Sequence, residues 1–147
     1  MTLVELIVAF TVLLVLTSMA VPLARAKLRA ERERALVAAL TEVRHAIDQY
    51  HDLSFNNYFG SAKKTGTDDY PETLEMLVDG VKKNDAEGTK MRFLRRIPID
   101  PFTGKAEWGL RSDRDDPTST SWGGQNVFDV YSKSIDKGSD GTPYNQW

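Results

Sequence analysis

Cysteine is absent from this 147-residue chain, and histidine occurs only twice. The first absence excludes a disulfide framework, a thiolate metal site and a cysteine nucleophile. Two histidines are too few for a histidine-based metal cluster, and His45 and His51 stand about 240° apart around a helix, so they cannot form a pair. Both read as surface residues. A surplus of either charge is also missing: 19 Lys and Arg face 21 Asp and Glu, a formal net charge of −2. Nucleic-acid binding needs an excess of cations to displace phosphate counterions, so this balance argues against it. No glycine-rich phosphate loop and no nucleophile–base arrangement appears. The residues point away from an enzyme.

What is present is very unevenly spread. Residues 1–24 hold 18 apolar residues and one charge, Glu5. As a helix, Leu3 to Ala24 is roughly 33 Å long, enough to cross a hydrocarbon core of about 30 Å. A secretory signal peptide is the competing reading. No basic residue precedes the run, and it is longer than a signal core, so a membrane helix is the better reading. Arg25, Lys27, Arg29, Arg32 and Arg34 against Glu31 and Glu33 then give a local +3. Taken alone, the positive-inside rule would put the C-terminal body in the cytoplasm, unless a basic leader had been removed from the N-terminus.

Beyond Ala24 no glycine or proline occurs until Gly60. Leu36, Leu40, Val43, Ile47 and Tyr50 recur at spacings of four and three, which predicts one apolar stripe with Glu33, Arg44, Asp48 and Gln49 mostly elsewhere. The expectation is one helix from residue 1 to about residue 53, apolar all round over 1–24 and amphipathic over 25–53. An ordinary single-pass anchor followed by a separate helix is the plainer alternative.

Residues 54–147 read as an α+β head with a small antiparallel sheet and a long C-terminal loop. Asn56 to Asp69 is expected to be a polar loop, with a short helix from Pro71 through Leu74, Leu77 and Val78 to Gly80. In the charged stretch 81–96, Met91, Phe93 and Leu94 are the expected core contacts. Lys105 to Arg111 alternates, with Ala106, Trp108 and Leu110 on one face, as a half-buried strand does. Asn126 to Ser132 is the second strand, with Phe128 and Val130 facing one way. Ser112 to Gln125 between them is too long for a tight hairpin. Its Asp113, Asp115 and Asp116 read as a solvated acidic run. Trp108, Trp122 and Trp147 read as core or loop anchors.

These residues carry a family resemblance. Thr2-Leu3-Val4-Glu5-Leu6, followed by an apolar run ending in Ala20-Val21-Pro22, resembles the processed N-terminus of type IV pilin-like proteins. The head is similar to the G-type major pseudopilins of type II secretion systems: Tyr70-Pro71 before its helix, Arg96-Ile97-Pro98-Ile99-Asp100-Pro101-Phe102-Thr103-Gly104, Phe128 to Ser132, and Asp140 to Trp147. Met1 stands where that family usually has Phe, and the C-terminal loop is shorter and less acidic than usual. The resemblance implies a structural subunit stored in the bacterial inner membrane, N-terminus on the cytoplasmic side and head in the periplasm. It would polymerise with its own kind into a helical pseudopilus. Its implied partners are a prepilin peptidase acting at an N-methylated Met1, an assembly ATPase and a membrane platform. A surface-exposed type IV pilus for adhesion or motility is the nearest alternative; a single-pass receptor or binding module is a more distant one.

Three sites follow. A carboxylate inside a hydrocarbon helix is costly and is a functional hypothesis by default. Glu5 would be satisfied by the Met1 amine of a neighbouring copy, setting filament register, or would simply reach the headgroups. Pro22 has no N–H and clashes with the Ser18 carbonyl, so a kink or loosened turn is expected near residues 18–22, with Thr17 and Ser18 competing for the freed groups. In filaments the resemblance implies a melted stretch there. In the C-terminal loop, Asp136, Ser139 and Asp140 among glycines read either as ordinary Asp-Gly turns or, as the G-type resemblance implies, as ligands for a structural Ca²⁺.

Overall fold

The computed structural model describes residues 2–63 and 65–147. Its architecture is α+β: one long N-terminal helix, α1 (Leu3–Phe55), then a region with a short helix, α2 (Glu75–Asp79), and two two-stranded antiparallel sheets. The first sheet pairs β1 (Val81–Lys82) with β2 (Lys90–Met91); the second pairs β3 (Gly109–Arg111) with β4 (Asp129–Tyr131). The chain divides into two compact units, Met1–Arg34 and Ala35–Trp147.

In the first unit, α1 runs unbroken through Pro22. The hydroxyls nearby do not reach the Ser18 carbonyl that the proline leaves without its donor. Thr17 Oγ1 donates to the Leu13 carbonyl at 2.6 Å and Ser18 Oγ to Val15 at 2.9 Å, both one turn back along the helix.

In the second unit, Leu36, Ala39, Leu40, Val43, Ala46, Ile47 and Tyr50 of α1 are all buried, which confirms the stripe and adds two alanines to it. Their spacing keeps them on one face of a 3.6-residue helix. They meet Phe59, Leu74, Leu77, Val81, Leu94, Trp108 and Val130 in a single apolar cluster. At the end of the first unit Glu33, expected off the stripe, is 8% exposed, with Arg29 Nε 3.4 Å from its carboxylate. His51 is half-buried rather than a surface residue, with its ring stacked 4.3 Å from that of Tyr70.

The head departs from the sequence reading where elements are very short. Phe59 lies inside the expected polar loop yet stacks on Tyr50 at 5.3 Å, and the 3₁₀ turn Gly60–Ala62 follows it. Helix α2 begins at Glu75 rather than Pro71, with Leu74 as its N-cap. It ends at Gly80, whose φ of +83° suits glycine, and whose added Cβ would meet the Met91 carbonyl at 2.7 Å. The Leu77 carbonyl near the end of α2 accepts the amides of Phe93 and Leu94, both at 2.9 Å.

Strand β3 covers only Gly109–Arg111, so Ala106 is exposed and Arg111, not Leu110, is buried. Phe128 is likewise exposed, because Val127 fills the core and donates its amide to the Pro71 carbonyl at 2.7 Å. The Phe128 ring packs edge-on to Tyr70 at 5.2 Å instead.

Buried polar groups hold the connections. Asp100 is fully buried; its carboxylate accepts the Phe102 amide at 2.8 Å and the Ser132 hydroxyl at 2.6 Å, closing the Asp-Pro turn. Asp129 on β4 receives Arg44 Nε of α1 at 2.7 Å, and Arg111 lies 3.6 Å away. The same two arginines donate to the C-terminal segment: Arg44 to the Trp147 carbonyl at 2.7 Å and Arg111 to that of Asn145 at 2.8 Å. Arg111 also covers the Tyr131 ring, 4.2 Å from its centre, and the Tyr131 hydroxyl donates to Thr120 at 2.9 Å. Opposite Tyr131 stands Gly109, where an added Cβ would fall 2.1 Å from the ring.

The stripe makes a direct prediction. Leu40→Ala should destabilise the full chain in detergent by about 2–5 kcal/mol. Val37→Ala, on the exposed face of the same helix, should change it by less than about 0.5 kcal/mol. Denaturant unfolding followed by near-UV circular dichroism checks both.

Candidate assembly surface

Most of the first unit is apolar and exposed. From Leu3 to Leu23, Leu, Ile, Val, Phe and Met side chains are open on every side of the helix, Leu3 by 75% and Leu23 by 74%. The helix is long and apolar enough to cross a membrane, and none of its most apolar stretch is buried within the chain. An apolar surface of this size is suited to a non-aqueous neighbour, lipid or other protein.

The polar groups within this stretch are mostly self-contained. Thr11 donates its hydroxyl to the Ile7 carbonyl at 2.7 Å, as Thr17 and Ser18 do to theirs. Such back-bonding hides hydroxyls from hydrocarbon without an outside partner. Glu5 is the exception: it is exposed, and among the described residues nothing pairs with its carboxylate. Met1, the expected source of a neighbour's amine and the expected methylation site, lies outside the described residues.

Sequence reasoning missed a second feature at this end. Thr2 Oγ1 accepts the Glu5 backbone amide at 3.3 Å, and the Leu6 amide donates to the Thr2 carbonyl at 3.2 Å. Thr2 is therefore the N-cap of α1, and Thr2-x-x-Glu5 has the spacing of a capping box, in which the acid reaches back toward the cap. The signal was available in the residue spacing. The Thr2 hydroxyl caps the Glu5 amide, while the Glu5 carboxylate, without a partner among the described residues, suits the positive end of the helix dipole.

The C-terminal loop brings two of its three singled-out residues into turn chemistry. Asp140 Oδ1 accepts the Thr142 amide at 2.9 Å, and the Gly138 amide donates to the Thr142 carbonyl at 2.7 Å. The Asp136 carbonyl accepts the Tyr144 amide at 3.1 Å. Tyr144 then buries its ring against Phe102, 4.0 Å away, and Trp147 packs edge-on to Tyr144 at 5.0 Å. Asp136, Ser139 and Asp140 are exposed. Ca²⁺ takes six to eight oxygens, and among the described residues no group of three or more His, Cys, Asp or Glu is placed to hold a metal.

The acidic run 113–116 does more than face solvent. Asp115 Oδ2 accepts the amides of Ser112 at 2.7 Å and Gly123 at 2.9 Å, spanning the long connection between β3 and β4. Asp113 accepts from the buried Asn126 side chain at 2.9 Å, and Asn126 also donates to the Thr67 carbonyl at 2.8 Å. Trp122 anchors the same loop through Nε1 to the Asn126 carbonyl at 2.7 Å. The Ser112 and Gly123 amides hold the Asp115 carboxyl below its ordinary value, and the Thr118 amide and hydroxyl do the same for Asp116. At Asp69 burial works to raise the carboxyl, but bonds from Lys63 and Ser54 outweigh it and lower it overall.

Because the folded values of Asp115, Asp116 and Asp69 lie below 3.8, the unfolded chain binds more protons at low pH. Their contribution is complete above about pH 3.8 and is lost as pH falls through the depressed folded values. Emission from Trp122, isolated by comparison with Trp122→Phe, should be flat from pH 7 to about 4.5 and should red-shift only below about pH 3.8. A transition centred near pH 6 would assign the loop's stability to other groups. For the C-terminal loop, EDTA is expected to move the melting midpoint by less than about 1 °C. A fall of several degrees, reversed by Ca²⁺ and absent in Asp140→Asn, would put the ion back.

The chain matches no family model, no curated protein and no solved structure.

Proposed function

We propose that this chain is a structural subunit that is stored in a membrane and polymerises into a pilin-like helical filament, a pseudopilus serving type II protein secretion. The observation that carries the reading is the division of one helix. Residues of α1 from Leu36 to Tyr50 bury a stripe in the head, while Leu3 to Leu23 expose apolar side chains on every side. A helix apolar all round is suited to lipid, and equally to a bundle of identical helices, so a subunit can pass from one to the other with little apolar surface meeting water. The resemblance of residues 2–22 and of the head motifs to pilin-like proteins adds the filament, the secretion role, the inner-membrane site and the processing and assembly partners. A surface-exposed pilus uses the same design and is the second reading.

Glu5 supplies the test, because its two roles respond differently to one change. Glu5→Gln keeps a side chain able to complete the capping box but removes the charge. If sister subunits neutralise Glu5, both Glu5→Gln and Glu5→Ala should insert normally in the membrane yet yield few or disordered filaments by electron microscopy. Wild-type filament numbers from Glu5→Gln, with loss only in Glu5→Ala, would reduce the acid to a helix cap and overturn the register role. Filaments unaffected by either would remove Glu5 from assembly.

A further inference from the structure

Directly after the apolar stretch, residues 25–34 carry Arg25, Lys27, Arg29, Arg32 and Arg34 against Glu31 and Glu33. This local +3 sits in a chain whose formal net charge is −2, so it is not part of a generally basic surface. All five cations are exposed. Arg29 is shared with Glu33 at 3.4 Å, and its side chain is still 51% exposed.

Two aspects of their placement identify the occupant. At about 100° per residue, Arg25, Arg29 and Arg32 fall on one side of the helix and Lys27 and Arg34 on the opposite side. A protein partner covers one face of a helix, whereas a lipid surface surrounds it. Along the axis, Arg25 to Arg29 rise within about 8 Å of Ala24, which matches a headgroup layer of about 5–8 Å outside the hydrocarbon. Arg32 and Arg34 stand higher, and their long side chains can bend back to the same layer. Leu28, exposed among them, offers an apolar contact at that depth.

We propose that residues 25–34 form a collar that binds anionic phospholipid headgroups around the spanning helix, with the five cations pairing to lipid phosphates. The chemistry is that of any phosphate, but the ring-like placement beside an apolar span commits the site to lipid. The inference does not rest on filament formation; it needs only that Leu3 to Ala24 enters a bilayer. Basic residues next to a span strengthen association with anionic lipid by a few-fold each at low salt.

The test uses the full chain reconstituted in phosphatidylcholine vesicles containing trace spin-labelled phosphatidylglycerol or spin-labelled phosphatidylcholine. The motionally restricted fraction reports which lipid stays beside the helix. Phosphatidylglycerol should be preferred by about three- to tenfold at low salt, and 0.5 M NaCl should bring the ratio toward one, as screening requires. Replacing all five cations (Arg25→Gln, Lys27→Gln, Arg29→Gln, Arg32→Gln, Arg34→Gln) should abolish the preference while leaving the restricted phosphatidylcholine fraction intact, showing that the helix is still inserted. Equal binding of both lipids by the native chain, or a preference that survives the five substitutions, would overturn the collar. So would a chain that restricts no lipid at all. Inorganic phosphate at 50 mM, against NaCl of equal ionic strength, should leave the ratio unchanged; selective loss in phosphate would reassign the cations to a free anion and overturn the lipid site.

Discussion

One hydrogen-bonded helix has to satisfy two different surroundings, and the distribution of apolar residues along it follows from that constraint. Over Leu36 to Tyr50 a single face is apolar, and the polar residues between can remain in water. Over Leu3 to Leu23 no face is polar. Backbone groups bonded along the helix make the second condition tolerable, because hydrocarbon offers them nothing. The side-chain hydroxyls of Thr11, Thr17 and Ser18 obey the same rule by bonding to carbonyls of their own helix. Among the described residues of this stretch, Glu5 alone departs from it.

The head meets a different shortage. Its strands have two or three residues each, so ladders contribute little, and polar groups inside the fold do the joining. Asp129 is the centre of the largest group, drawing Arg44 from the helix and Arg111 from the neighbouring strand. Burying Arg111 is tolerable only because its donors are engaged: one reaches Ser119, another Asn145, and the guanidinium covers Tyr131. Asp100 and Asn126 apply the same logic to the turn before β3 and to the long connection after it.

What was legible in the sequence depended on how far each cause reached along the chain. The stripe of α1 repeats over four turns, so its period identifies most of the buried residues; Ala39 and Ala46 escape by being small, and Glu33 and Ser54 by being polar. The α+β class and the existence of two late strands were legible too. Register was not: Val127, rather than Phe128, faces inward because its amide is fixed to the Pro71 carbonyl, a contact no local pattern encodes. Strands β1 and β2 are too short to alternate, and the Asp129 group joins residues 85 apart in sequence. At the candidate assembly surface, Thr2-x-x-Glu5 was readable as a cap from spacing alone, whereas a partner for the Glu5 carboxylate belongs to no single copy of the chain under the filament reading.

Gly109 shows how tightly the second sheet and its loop are coupled. The space a methyl would occupy is filled by the Tyr131 ring. Displacing that ring would uncover the Arg111 guanidinium and detach the hydroxyl from Thr120. An alanine at this one position would therefore act at a distance, loosening a surface segment eleven residues downstream without touching it, and the smallest possible side chain change would be felt as a change in loop dynamics.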